Sequence, residues 1–354
     1  MSVAPSPEPP FSPSTAWQEV ALPDEQNLID RFAQDIGRFQ KEDEDAKRGK
    51  PFRGFHAKPH AGLIAEFQVL GDLPDYARQG VFAMPRIFPA LVRFSNGDSV
   101  INKDKHAEPR GIAIKLIGVE GSQLLPERKD AVTQDFLATS HSVTAGVRHI
   151  GQFADFVRAH RTGPLAQFVN LWKAFGPKET ARIVAFLVRH VILSKVRSMA
   201  TEEFSGTAPI KFGPHAVKFT VRPFKDTVPP AHRALTENFL KEELAERLRK
   251  SDLKFDFLVQ FYVDDVKTPI EDTSVPWRLE DAPFVKVAQL RIPRCELNDK
   301  FTDHVDDLSF SPWHAVEDHR PLGSVMRARK VAYAASSKLR QRSPEPTKLP
   351  QPSG

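Results

Sequence analysis

Apolar residues along this chain recur at two different spacings. Ile29, Phe32, Ile36 and Phe39 fall three and four apart, which predicts an amphipathic helix within residues 24–48. From Phe52 to Gly118 the texture changes to short runs of Phe, Val and Ile broken by Gly, Asn, Asp and Pro. Residues 63–69, 90–95 and 111–117 each read as a strand. Residues 149–200 read as helix, in two or three pieces divided near Gly163-Pro164 and Gly176-Pro177. Strand texture returns at 216–222, 255–263 and 284–292, with an amphipathic helix over 231–250 between the first two. The first and last of these alternate apolar with polar, as a half-buried antiparallel sheet does. Residues 326–340 are rich in helix formers and contain neither Gly nor Pro, which predicts a last helix.

Strands separated by turns and long helical insertions predict an α+β fold around an antiparallel sheet, closing its own edges as a barrel. No repeat and no linker divides the chain. One domain over 24–342 is expected, with a Pro- and Ser-rich leader at 1–23 and a similar tail at 343–354. The leader lacks a charged start followed by an apolar core, so it does not read as a secretory signal. The most apolar stretch, 183–193, carries Arg189 and His190 and is too short to span a bilayer. A soluble, cytoplasmic protein is the expectation.

Charge narrows the function classes. The net charge is +5, and no dense basic run interleaved with aromatics points to nucleic acid. The lone Cys295 excludes an intrachain disulfide framework and a cysteine-built metal cluster. No Gly-rich string opens a helix to cradle phosphate. The histidine pairs His56/His60 and His314/His319 are read in loops with no carboxylate in register, which disfavours a zinc hydrolase. His141 lacks the context of a serine hydrolase.

The aromatic content is skewed, with Phe 26 against Tyr 3. One of the few tyrosines, Tyr333, has Arg329 four residues before it and Arg340 seven after. On a helix those spacings share a face. A guanidinium beside a phenol favours the phenolate, and a phenolate can hold ferric iron. The ordinary alternative is a surface helix whose tyrosine rests on a neighbour. Other strings have ordinary readings too when taken alone. Arg53-Gly-Phe-His56-Ala-Lys58 fits a hydrogen-bonded loop histidine, Arg93 an edge-strand charge facing water, and Arg110 a residue at the sheet rim.

Together these strings resemble the haem catalases and their shorter catalase-like relatives, over about residues 50–342. Arg53-x-x-His56-Ala-Lys58 is similar to the family's R-x-x-H-A-K, and Arg93-Phe94-Ser95 to its R-F-S strand. Pro109 to Lys115 resembles its P-R-G strand. Residues 270–277 and 287–293 resemble the stretch that completes the barrel. Phe310-Ser311-Pro312 is similar to its F-x-P turn, and Arg329, Tyr333 and Arg340 to its R-x-x-x-Y motif with a following arginine. The resemblance implies haem b with Tyr333 as the proximal iron ligand and Arg329 stabilising the phenolate. It implies that Arg53, Arg93 and Arg340 clamp the propionates. His56 would be the distal acid–base group, with Ser95 fixing its tautomer.

The chain departs from that family on the distal side. An N-x-P-V-F-F segment is expected there, and residues 139–145 offer Ser140 for the asparagine and Thr144 and Ala145 for the two phenylalanines. Gln134 is the other candidate amide. The C-terminal helical extension of full-length catalases is not expected, so a monomer or small homo-oligomer is. The implied activity is a peroxidase taking hydrogen peroxide or an organic hydroperoxide with an organic electron donor, and only weakly a catalase. Fatty-acid hydroperoxide rearrangement of the allene-oxide-synthase kind, or haem binding without turnover, are the alternatives.

Overall fold

The computed structural model describes residues 11–45, 50–51, 53–140, 146–193, 196–230, 235–340 and 343–350. Helix α1 (Glu25–Glu42) is followed by a small ladder of β1 (Glu44–Asp45) and β2 (Lys50–Pro51). Then come β3 (Pro59–Val69), β4 (Ile87–Asn96), β5 (Arg110–Ile117) and β6 (Thr133–Thr139). Helices α2 (Ile150–His160) and α3 (Pro164–Leu187) precede β7 (Phe204–Ser205), β8 (Ile210–Phe212) and β9 (His215–Pro223). The chain continues through α4 (Phe239–Lys250), β10 (Leu253–Phe261), β11 (Val285–Ile292), α5 (Asp299–Asp307) and α6 (Ser324–Leu339).

All strand pairings of the main sheet are antiparallel, in the order β10-β11-β3-β4-β5-β6-β7-β9. The pairing of β9 with β10 closes this ring into an eight-stranded barrel, with β8 hairpinned onto β9. Closure removes the open edges that an antiparallel sheet would otherwise expose. Phenylalanine fills the interior, which accounts for its abundance. Phe257 lies 5.0 Å from Phe136 and 5.2 Å from both Phe67 and Phe219, ring centre to ring centre. Such rings bury a large apolar area without any polar group to satisfy.

Alternation along β4 sends Val92 and Phe94 inward, while Leu91, Arg93 and Ser95 face outward. Helix α5 covers this outer face. It crosses so near β3 that a Cβ on Gly62 would lie 2.6 Å from Val305 Cβ, so only glycine admits the crossing. Helix α6 packs beside α1 and α2, burying Ile29, Phe32 and Ile36 against Ala328 and Ala332. Within α3, Gly176 leaves helical geometry at φ 74° and Pro177 follows, so the predicted break is a kink rather than a gap.

Two expected segments behave differently from their composition. Residues 11–22 form neither helix nor strand, yet they are fastened along their length. Trp17 Nε1 donates to the Pro214 carbonyl at 2.9 Å, and Glu19 pairs with Arg320 and Arg327 at 2.7 and 2.6 Å. In the expected tail, Glu345 reaches the buried Lys115 at 3.0 Å and Arg128 at 2.8 Å. A Pro-rich composition prevents regular ladders, but it does not prevent side chains from docking.

Candidate functional site

The site begins at the outer face of β4, where Arg93 meets Asp306 of α5. Asp306 Oδ1 accepts from Arg93 Nε at 2.8 Å and from Arg53 Nε at 3.3 Å. Arg53 Nη2 also donates to the Asp306 carbonyl, and to the Leu308 carbonyl at 2.7 Å. Arg340, capping the end of α6, donates Nη1 to the Asp306 carbonyl at 3.3 Å. Two guanidiniums thus bind the carboxylate and a third the main-chain carbonyl of Asp306, a residue 7% exposed. The Arg93, Arg53 and Arg340 charges hold the Asp306 carboxyl far below the usual carboxylate range, overriding its burial. Burial lowers Arg93 to about 10 and Arg340 to about 9, with neighbouring arginine charges acting in the same direction, so both remain cations at neutral pH.

His56 adjoins this cluster through its backbone. Its carbonyl accepts from Arg93 Nη2 at 2.7 Å, and its N–H donates to the Gly97 carbonyl at 3.0 Å. These bonds hold it at φ 59°, the left-handed region that L-residues other than Asn, Asp and His seldom enter. The imidazole Nδ1 lies 3.1 Å from Ser95 Oγ. One side of the ring lies close against Gly111 of β5: a Cβ there would stand 2.4 Å from His56 Cε1 and 2.5 Å from Nδ1. Burial, then the Arg93 and Arg329 charges, bring the imidazole down to about 3, so it is neutral at pH 7.

Tyr333 projects from α6 and is half-buried. Arg329 Nη2 donates to its hydroxyl at 2.8 Å, and the guanidinium carbon stands 5.0 Å from the centre of its ring. The same Arg329 is one of the charges acting on His56, which ties the α6 pair to the histidine. The residues predicted for the site therefore fall into two linked groups: Arg53, Arg93 and Arg340 around Asp306 with His56 and Ser95 alongside, and Arg329 with Tyr333.

Other predicted positions lie elsewhere or have different partners. Ser140 follows β6, where its hydroxyl accepts from the Arg110 backbone N–H at 3.0 Å. Gln134 stands at the opposite end of β6. Its Oε1 accepts from Val316 N–H at 3.0 Å and its Nε2 donates to the Asp135 carbonyl at 3.1 Å. It pairs with Leu116, whereas the His56 ring lies against Gly111 at the other end of β5. Residues 141–145, with His141, Thr144 and Ala145, lie outside the described residues.

Several ordinary readings are corrected. Arg93 does not face water from an edge: β4 is flanked by β3 and β5, and Arg93 is buried. Arg110 is buried too, donating to Asn96 Oδ1 at 2.9 Å and to the Asp104 carbonyl at 2.8 Å. His60 is on β3 rather than in a loop, with Nε2 2.7 Å from Asn96 Oδ1. His319 lies in a short helical turn, accepting from Val81 N–H at 3.0 Å.

Asp306 was not anticipated, because α5 was not. The signals were present: Asn298 caps the helix by accepting from Phe301 N–H at 2.9 Å, and Phe301 and Val305 follow at helical spacing.

The donor set suits a haem. The three arginines outnumber Asp306 and Asp307, the two acids whose charges act on them, which leaves positive charge for ionised propionates. Arg340 Nε is buried without a hydrogen-bond partner among the described residues, so a donor remains for such a group. The Tyr333 oxygen, held by the Arg329 hydrogen bond, is of the type that can ligate a ferric ion.

No protein family's sequence profile matches this chain, and no curated protein does. Solved structures do. The chain is similar to a fungal catalase with a TM-score of 0.65 and 18% identity, over 94% of this chain and 66% of that one. It is similar to catalase A from Saccharomyces cerevisiae with the same TM-score and identity, covering 94% and 68%. A bacterial catalase gives a TM-score of 0.63 at 18% identity, covering 95% and 65%. The barrel with its added helices is thus the catalase fold. The chain spans about two thirds of the length of these catalases.

Proposed function

We propose that this protein is a haem-dependent peroxidase, acting on hydrogen peroxide or an organic hydroperoxide, with weak catalase activity. The observation that carries the reading is the Arg329–Tyr333 hydrogen bond of 2.8 Å, in a pair whose charge also acts on the neutral His56. Tyr333 Oη would bind the iron, held in place by the hydrogen bond from Arg329. Arg53, Arg93 and Arg340 would bind the propionates by charge-assisted hydrogen bonds. Haem b, when bound, supplies the redox chemistry of peroxide cleavage. His56 Nε2, with Nδ1–H donating to Ser95 Oγ, takes the proton of the peroxide hydroxyl and returns it to the departing oxygen. The imidazole is already the free base at pH 7, so no prior deprotonation is needed.

The distal side supports the ranking of activities. The Ser140 hydroxyl is engaged by the Arg110 N–H and is shorter than an asparagine amide, so it positions a second peroxide poorly. Serine in place of the expected asparagine keeps fatty-acid hydroperoxide rearrangement as the second reading. Two measurements test the proposal. Tyr333→Phe should abolish the ferric tyrosinate spectrum of the haem-loaded protein, and an unchanged spectrum rejects Tyr333 as the iron ligand. Turnover of a lipid hydroperoxide without any electron donor would favour rearrangement, whereas strict dependence on a donor supports the peroxidase.

A further inference from the structure

Helix α3 carries an apolar face that the fold does not use. Leu171 and Phe175 point toward the α2 side, packing with Val147 and Ile183. Beside that buried stripe, Leu165, Phe168, Val169 and Trp172 are 80%, 44%, 40% and 49% exposed. Their spacing of three and four places all four on one stripe of the first half of the helix. The Phe168 and Trp172 rings lie side by side, 5.9 Å between centres and tilted at 47°. Beyond the Gly176 kink, Val188, Ile192 and Leu193 are again exposed. Scattered apolar residues on a surface are ordinary, but a contiguous aromatic and aliphatic stripe marks a contact surface.

Charge identifies the contact. Residues 161–197 hold seven Lys or Arg and one acid, Glu179, which is itself paired with Arg148 and Arg182. The whole chain carries only +5, so its entire basic excess lies in this segment and the remainder is close to neutral. Lys173 is exposed next to Trp172, and Lys178 and Arg189 are exposed beyond the Gly176 kink. A helix that presents apolar residues flanked by cations, with Trp at its surface, suits the boundary of an anionic bilayer, where acyl chains lie beneath negative headgroups. No helix among the described residues is long and apolar enough to cross a membrane, so the geometry is one of lying on the surface.

We propose that α3 docks this protein on anionic lipid surfaces through Leu165, Phe168, Val169 and Trp172, with the flanking cations contacting the headgroups. The test uses the full chain and sedimentation with phosphatidylcholine vesicles, with and without phosphatidylglycerol. Binding is expected only to the anionic vesicles, weakening as salt rises, with a blue shift of Trp emission that Trp172→Phe removes. The double variant Phe168→Ser, Trp172→Ser should bind about ten-fold less or weaker. Lys173→Glu with Lys178→Glu should also weaken binding without altering the fold. Failure to bind anionic vesicles at low salt overturns the proposal, as does equal binding to neutral vesicles. A dimer in sedimentation equilibrium that the Phe168→Ser, Trp172→Ser variant dissociates would overturn it too, because a second copy would then cover the face. The assay reads no haem chemistry, so its outcome is independent of the peroxidase reading.

Discussion

Asp306 is the residue on which the candidate site turns. Its carboxylate accepts from Arg53 and Arg93 and its charge also acts on Arg340, so Asp306→Asn removes a counter-charge that all three cations share. Removing one partner of a buried ionic cluster costs about 3–5 kcal/mol, and thermal or urea unfolding of the haem-free variant should register a loss of that size. If the arginines hold propionates, loading with haem should recover part of the loss, and identical deficits with and without haem would count against that assignment. At His56 the expectation is kinetic. His56→Ala should retain haem but slow its oxidation by peroxide by about 10²–10⁴-fold in stopped flow. Gly111→Ala should produce much of the same defect without touching the imidazole chemistry, because the added Cβ would occupy the space of the ring. His56 and the three arginines were legible as residues, but their shared anion was not. A buried aspartate looks like any other acidic residue until the fold surrounds it.

Among the elements the hydrophobic pattern missed, α5 and β6 bear on the candidate site. Helix α5 is nine residues long and mostly charged, with Phe301 and Val305 as its chief apolar anchors. Its stability rests on the Asn298 cap and on close packing against Gly62, which no local window reveals. Asn298→Ala should destabilise the protein by about 1 kcal/mol, and by loosening α5 should weaken haem retention. A melt that drops while haem affinity stays constant would show that α5 and the site are uncoupled. Strand β6 was hidden because Gln134 and Asp135 are polar at buried positions. Asp135 is satisfied by Lys115 at 2.7 Å and by the Ser311 N–H at 3.0 Å, partners far away in sequence. The long strands and α6 were legible because apolar periodicity, β-branched content and helix propensity agreed there.

Across the whole molecule, several buried histidines share one titration behaviour. Burial holds His319 at about 4 and His56 at about 3, and it also lowers His60. An unfolded chain binds a proton at each near pH 6.5. Because the folded values are lower, the unfolded state takes up more protons as acid is added. Stability is therefore complete above about pH 6.5 and declines as the pH falls toward 4, by about 1.4 kcal/mol per pH unit for each such group. Urea midpoints between pH 7 and pH 4 should fall steadily, and a flat profile would mean that these imidazoles are protonated in the fold. The barrel core sets the other global term. Phe257 contacts rings from three other strands, and Phe257→Ala should cost about 3–5 kcal/mol.

The sequence by itself determined the alternation of strands and helices, the phenylalanine-rich interior and the order of the arginine, histidine and tyrosine motifs. These are local properties, carried by spacing and side-chain chemistry within a few residues. Only the tertiary structure decided that Arg53, Arg93 and Arg340 meet at Asp306, that Gln134 lies away from His56, and that α3 leaves an apolar stripe in solvent. Each of these depends on which segments of a closed barrel face each other, and register and crossing geometry arise from contacts between residues hundreds of positions apart.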